Sequence, residues 1–407
     1  MFRLLVSDKS GKIFDIPELE AAGMKAGHFF RLEREDFIRM PEGSRLFMLP
    51  GRMPVGYDNV KRKYKVLENY FAVAVFMAPA FTGTYNSAFK EAGRQAALPL
   101  YCYTAAGFHK GGIYAPALRV DRSSRHDPSS IDVDSVAKNA VKIKKLFPGN
   151  RLIRHLADCA LIHGCPGAQN FFLSREECPL PTSPLCNANC AGCISLKTQP
   201  RIKFIPSPEE VSETALFHAH NAKNPVLSFG QGCEGEPLLQ AGLIEKSIRL
   251  IRNKIGKATI NINTNASMPE AIARLFDAGL DSIRVSLNSV RKEYYKRYYR
   301  PSGYDFRDVL ESIKTAKRRN GFVSINYLTM PGFTDSKDEC ACLRKFIEAY
   351  KIDMIQWRNL NFDPLHYFQI IRYPVNPSDM IGVRQLIMSL KKTFPGLKMG
   401  YYNPPKK

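Results

Sequence analysis

At 407 residues, with 44% hydrophobic and 24% charged residues, the chain has the balance of a globular protein and the length for two domains, which excludes disordered and collagen-like classes. Basic residues outnumber acidic ones 59 to 38, a net charge of +21. Such a field attracts polyanions such as RNA, or anionic small molecules, and is equally compatible with a plain solvated surface. The opening MFRLLVSDKSGKIFDIPELE has no apolar core and no stretch approaches about 18 apolar residues, so neither a secretory signal nor a membrane span is expected. Ten cysteines in that context point to a reducing, cytoplasmic setting, where they are buried, reactive or metal-bound.

In chain order, FRLLVSDKSGKIFDI reads as a hairpin around a glycine-containing turn. YFAVAVFMAPAF and ALPLYCYTAAG are apolar and strand-like, and DRSSRHDPSS at 121–130 is a polar loop. Two helical stretches follow, SVAKNAVKIKKLF and RLIRHLADCALI. Residues 1–150 are expected to form an α+β module whose role its residues do not disclose.

From residue 201 strands and helices alternate. Ser207-Pro208-Glu209-Glu210 combines an N-cap serine, an early proline and a glutamate at the third position, and starts a helix reaching about Asn221. VLSF (226–229), ATININ (258–263), SIRVSL (282–287), FVSINYL and DMIQW read as strands, separated by segments of helical periodicity. Repeated strand–helix order implies a parallel sheet, because parallel strands need long return connections. With a strand before the cysteine-rich loop the count is about six units, too few to close an eight-unit barrel. The expected fold class is α/β, a partial (β/α)6 TIM-like barrel over 151–365 followed by a C-terminal helix and tail over 366–407. A doubly wound sheet is the alternative.

CNANCAGC, residues 186–193, spaces three cysteines C-x3-C-x2-C. Three ligands leave a four-coordinate zinc or a four-iron cluster one short. A zinc site would draw Cys178 or Cys165 as its fourth ligand, at spacings foreign to common zinc modules. Downstream, Gly235-Glu236-Pro237 follows a strand. The next two strands end in Asn263-Thr264-Asn265 and Ser286-Leu287-Asn288-Ser289. Ligands gather at the carboxyl ends of parallel strands, so these polar residues are expected to line one site beside the cysteines.

In that combination the sequence resembles the radical SAM superfamily over roughly residues 175–365. CNANCAGC is similar to the family's cluster loop and GEP to its glycine–glutamate–proline motif. The resemblance implies a [4Fe-4S] cluster held by Cys186, Cys190 and Cys193, its fourth iron chelated by S-adenosylmethionine (SAM). It implies SAM contacts from Gly235, Glu236, Thr264, Asn265, Ser286, Asn288 and Asn361. The implied reaction is reductive cleavage of SAM to a 5′-deoxyadenosyl radical that abstracts hydrogen from a substrate. An electron donor such as flavodoxin or ferredoxin is implied as partner. Gly192 stands where many members carry an aromatic residue, and CPLPTSPL is proline-rich for a first strand.

The substrate stays open among a small molecule, a peptide or protein, and RNA. RKEYYKRYYRP (291–301) has the composition of a base-stacking, phosphate-tracking surface. A zinc-stabilised RNA-binding module without catalysis is therefore the competing class. Cys159, Cys165 and Cys178 are candidates for an auxiliary cluster, and Cys233 for a radical-quenching or covalent role; burial as ordinary apolar residues is the plain alternative.

Overall fold

The computed structural model describes residues 1–406 except 94, 124–126, 128–129 and 198–200. Part of the expected 121–130 loop therefore lies outside the described residues. Up to Arg119 the described chain is strands, short turns and one 3-10 turn, joined in a 13-stranded sheet. The opening hairpin pairs Leu4–Ser7 with Ile13–Ile16, and Gly11 supplies the left-handed turn residue at φ +89°.

The second sheet is parallel and has seven strands in sequential order: β1 (Glu177–Leu180), β2 (Val226–Phe229), β3 (Thr259–Thr264), β4 (Ser282–Leu287), β5 (Phe322–Thr329), β6 (Met354–Asn359) and β7 (Lys398–Gly400). A doubly wound sheet reverses its strand order at a switch point; this one never does. β1 and β7 are its two edges, so the barrel is open. β7 is one strand beyond the six expected: three residues long, it pairs with Met354–Gln356 after the crossover helix Val383–Thr393. Pro179 is tolerated in β1 because an edge strand leaves one side of its ladder unpaired.

Helices form where the sequence caps them. Ser207 accepts from the Glu210 amide and Glu210 reaches back to the Ser207 amide, which opens helix Pro208–Asn221. The helix Val133–Leu146, expected in the N-terminal module, and the helix Arg151–Leu161 both pack with the barrel. Val136, Ile143, Leu152 and Leu156 share one apolar cluster with Leu227, Ile260 and Ile283. The first sheet keeps separate, smaller clusters.

The first sheet docks on the carboxyl ends of β5 and β6. The Thr82 hydroxyl donates to the Trp357 carbonyl at 3.2 Å, and Asn359 pairs with the Phe81–Gly83 backbone at 2.9 and 2.8 Å. Two buried ion pairs, Lys25–Asp335 at 3.4 Å and Arg52–Asp363 at 3.1 Å, cross the same junction. Losing one partner of such a pair leaves an uncompensated charge at a cost of about 3–5 kcal/mol. Among the described residues no helix is long and apolar enough to cross a membrane.

Candidate functional site

The carboxyl ends of the parallel strands open into a cavity of about 550 Å³. The loop after β1 brings Cys186, Cys190 and Cys193 to its wall. Local packing fixes that loop. The Gly235 amide donates to Ser183 O at 2.7 Å and the Glu236 amide to Leu185 O at 2.8 Å, pairing the approach to the cysteines with the GEP loop. On the other side Ala191 N–H donates to Tyr298 O at 2.9 Å and Asn189 N–H to Tyr299 O at 3.1 Å.

Those contacts decide the tyrosine-rich segment. Tyr294, Tyr295, Tyr298 and Tyr299 are all buried along helix Lys292–Tyr299. Tyr298 and Tyr299 hold the cysteine loop and Tyr294 packs on Phe333 and Tyr373, so the reading of RKEYYKRYYRP as a base-stacking surface is corrected. Gly192 is explained by the same packing: a Cβ there would lie 2.6 Å from the Tyr298 hydroxyl and 3.0 Å from Phe362. Aromatic side chains already occupy the space beside it, supplied from elsewhere in the chain.

Gly235, Glu236, Thr264, Asn265, Ser286 and Asn361 line the same cavity as the three cysteines. Asn288 does not. It is fully buried, donating to Tyr294 O and the Tyr367 hydroxyl, both at 3.2 Å. β4 ends at Leu287, so strand alternation no longer aims residue 288, and Asn288 packs beneath the next helix instead.

Glu236, 4% exposed, accepts from the Thr264 hydroxyl, from Leu238 N–H at 3.1 Å and from Asn265 N–H at 2.8 Å. An ionised carboxylate has about four acceptor sites, so one is left for a ligand in the cavity. Asn265 continues the chain of contacts, donating to the Asn187 side chain inside the cysteine loop at 2.8 Å. Glu234, missed by sequence reasoning although it neighbours the motif, staples the same loops. It accepts from Thr182 and Ser183 amides at 2.7 and 3.0 Å and from Gln231 N–H at 2.7 Å. Burial pushes both Glu234 and Glu236 up to about 7.

That shift has a measurable sign. A carboxyl whose folded pKa is raised from 4.5 to about 7 favours the folded state while protonated, and this advantage is lost as pH rises through that window. Glu236→Gln should therefore gain on the wild type by roughly 2–3 kcal/mol between pH 5 and pH 8 in denaturant melts of metal-free protein. Parallel pH profiles for the two proteins would remove Glu236 as a buried titrating group.

Deeper in the barrel, alternation along the strands points Arg284 and Ser286 of β4, Asn326 of β5 and Arg358 of β6 to the lumen, where all four line the cavity. Arg284 donates to Gln356 at 3.0 Å, and Arg358 lies 3.7 Å over the Tyr401 ring. Burial, together with the neighbouring Arg358 charge, lowers the pKa of Arg284. Arg284 Nε, Arg358 Nε and Asn326 Oδ1 are buried and have no hydrogen-bond partner among the described residues. Unpaired buried polar atoms cost free energy unless a ligand meets them.

The donor set fits an iron–sulfur cluster. Burial raises the Cys186 and Cys190 thiols, and the neighbouring cysteines raise Cys190 further. All three thiols border one cavity from one loop, where a cluster would take them as thiolates. The orphaned lumen atoms and the polar strand ends fit a zwitterionic, hydrogen-bonding ligand beside it.

An open parallel barrel with three thiols on one loop at the carboxyl ends of its strands, bordering a cavity with polar strand ends, suits a metal cluster and a small ligand. The sequence model of the radical SAM superfamily matches residues 180–341, and this segment is a radical SAM domain; such domains use a [4Fe-4S] cluster and SAM. The chain is 24% identical over 201 residues to the FeMo cofactor biosynthesis protein NifB of Klebsiella pneumoniae, covering 44% of this chain and 42% of that protein. It is 32% identical over 159 residues to the GTP 3′,8-cyclase of Alkaliphilus metalliredigens, covering 38% and 48%. The chain thus spans less than half the length of these curated relatives. Among solved structures, HydG, a maturase of the [FeFe]-hydrogenase, aligns with a TM-score of 0.40 and 16% identity over 68% of this chain and 66% of that one.

Proposed function

We propose that the chain is a radical SAM enzyme acting on a small anionic substrate in the barrel lumen. The observation that carries the reading is a single cavity shared by Cys186, Cys190 and Cys193, the GEP loop and unpartnered lumen donors. The three thiols would hold the cluster. Glu236, Thr264, Asn265 and Ser286 would hold SAM, with Asn361 on the wall beside them. When bound, these two groups supply one-electron cleavage of a carbon–sulfur bond and a carbon radical able to take a hydrogen atom.

The chain's own residues bind, orient and exclude water. Phe76 and Met77 of the first sheet, and Tyr401 and Tyr402 after β7, wall the cavity. Arg284 and Arg358 make no ion pair among the described residues, and two guanidiniums facing a buried lumen suit a carboxylate or phosphate. The net charge of +21 favours the approach of such a substrate. A concave lumen of about 550 Å³ and buried tyrosines favour a small molecule over RNA. Ten cysteines without a disulfide among the described residues suit a reducing compartment such as the cytoplasm. A one-electron carrier such as flavodoxin or ferredoxin would be the reductant.

Anaerobic reconstitution with iron and sulfide tests the reading. About four irons per chain and formation of 5′-deoxyadenosine on reduction with SAM are expected, with turnover stimulated by anionic metabolites and not by neutral ones. A preparation that takes up no iron and leaves SAM intact would overturn it. Arg284→Leu should raise the KM for the stimulating anion by roughly ten- to a hundredfold, the worth of a charged hydrogen bond, while iron content stays unchanged.

A further inference from the structure

His155, Cys159 and Cys233 converge at a second place, outside the three-cysteine loop. Their ligand atoms, His Nδ1 or Nε2 and two Sγ, all lie within 4.8 Å of one another. His155 and Cys159 are four residues apart on helix Arg151–Leu161 and so share one face. Cys233 comes from the loop after β2 that also carries Glu234 and Glu236. Both thiols are buried, at 4% and 6% exposure, and no disulfide joins them.

The spacing suits coordination. Zinc bonds of about 2.3 Å to sulfur and 2.0 Å to nitrogen, set tetrahedrally, place neighbouring ligand atoms about 3.5–3.8 Å apart. His155 Nε2 and Cys159 Sγ are 3.5 Å apart. Two thiolates and an imidazole form a soft, borderline donor set that selects zinc over hard cations. The Cys233 thiol and His155 both hydrogen-bond the Cys159 sulfur, which brings Cys159 down to about 5. A bound metal would take both sulfurs as thiolates and release their protons. Cys165 flanks the set, its amide donating to Cys159 O at 2.9 Å, while its own side chain lines the cavity.

We propose that His155, Cys159 and Cys233 form a three-ligand site for a thiophilic divalent cation of the zinc class, with the fourth position left to an exogenous ligand such as water. A metal there ties the helix before the barrel to the loop carrying Glu234, Gly235 and Glu236. The site is independent of the proposed cluster and holds whether or not SAM is cleaved.

Anaerobic titration of the full-length Cys186→Ala/Cys190→Ala/Cys193→Ala protein with Co²⁺ tests it without the cluster ligands. One Co²⁺ per chain is expected, with a thiolate-to-cobalt charge-transfer band and the ligand-field bands of a tetrahedral ion. Adding Cys233→Ser or His155→Ala should weaken binding about a hundredfold or more, whereas Cys342→Ser, on a distant helix, should leave it unchanged. Absence of the bands in a background protein that still melts cooperatively, or their survival in Cys233→Ser, would overturn the proposal. Should the triple variant not fold, zinc analysis of the iron-loaded wild type decides. One zinc beyond the iron, lost in His155→Ala with iron retained, supports the site. No zinc, or a Cys159–Cys233 disulfide in the peptide map, refutes it.

Discussion

Replacing any one of Cys186, Cys190 and Cys193 by alanine is expected to abolish SAM cleavage and most iron uptake, while the barrel still folds. The three thiols stand on one eight-residue loop and border one cavity. Cys165, which also borders that cavity, is the N-cap residue of helix Pro166–Phe172, so its backbone cannot shift toward the loop without moving the start of that helix. The loop itself is fixed by backbone bonds to residues 298–300 and by Asn187, which donates to Ser267 at 3.0 Å. Circular dichroism of the variants should match the wild type. A variant that keeps full iron content and full 5′-deoxyadenosine formation would remove that cysteine from the cluster.

Gly235→Ala is expected to be nearly as damaging although it removes no functional group. A Cβ on residue 235 would sit 1.9 Å from Leu185 O and 3.1 Å from Cys186 N. Those are backbone atoms, so no side-chain rotation relieves the clash and the segment leading into Cys186 must shift. Overpacking of this kind costs about 1–3 kcal/mol, occasionally more. Displacing a reacting group by about 1 Å costs on the order of a hundredfold in rate. The melting temperature should fall moderately and SAM cleavage by a hundredfold or more, with Gly242→Ala, where the added Cβ meets open space, as the control. Equal activity in the two variants would show that residues 183–186 can move without consequence.

Much of the barrel was legible because its signals are local. The Ser207–Glu210 capping box, the apolar runs of β2 to β4 and the cysteine spacing each lie within a few residues. What failed depends on which way a side chain turns. Asn288 follows a strand as Asn265 does, yet one is buried under Tyr367 and the other faces the cavity. The tyrosine-rich segment carried a usable signal: pairs 294/298 and 295/299 fall four apart, the mark of one helical face meeting a core. Arg284 and Arg358 were passed over inside apolar strands, although a charge at an alternating buried position signals a lumen. β7 is too short to show periodicity. The His155–Cys159–Cys233 grouping joins a helical pair to a cysteine 74 or more positions away, which spacing rules cannot see.

The cavity also has an order of assembly. Its floor and cysteines come from the middle of the chain, one wall from Phe76 and Met77, and another from Tyr401 and Tyr402. The Arg52–Asp363 contact that seats the first sheet joins residues 311 positions apart. Contacts so distant in sequence form late, and synthesis proceeds from the amino end at about 5–20 residues per second. Between the emergence of Cys193 and that of Tyr402 the nascent chain therefore exposes its three thiols for roughly ten seconds or longer before the last wall can close. The interval is one in which a metal donor can reach the loop, and in which oxygen can reach it as well.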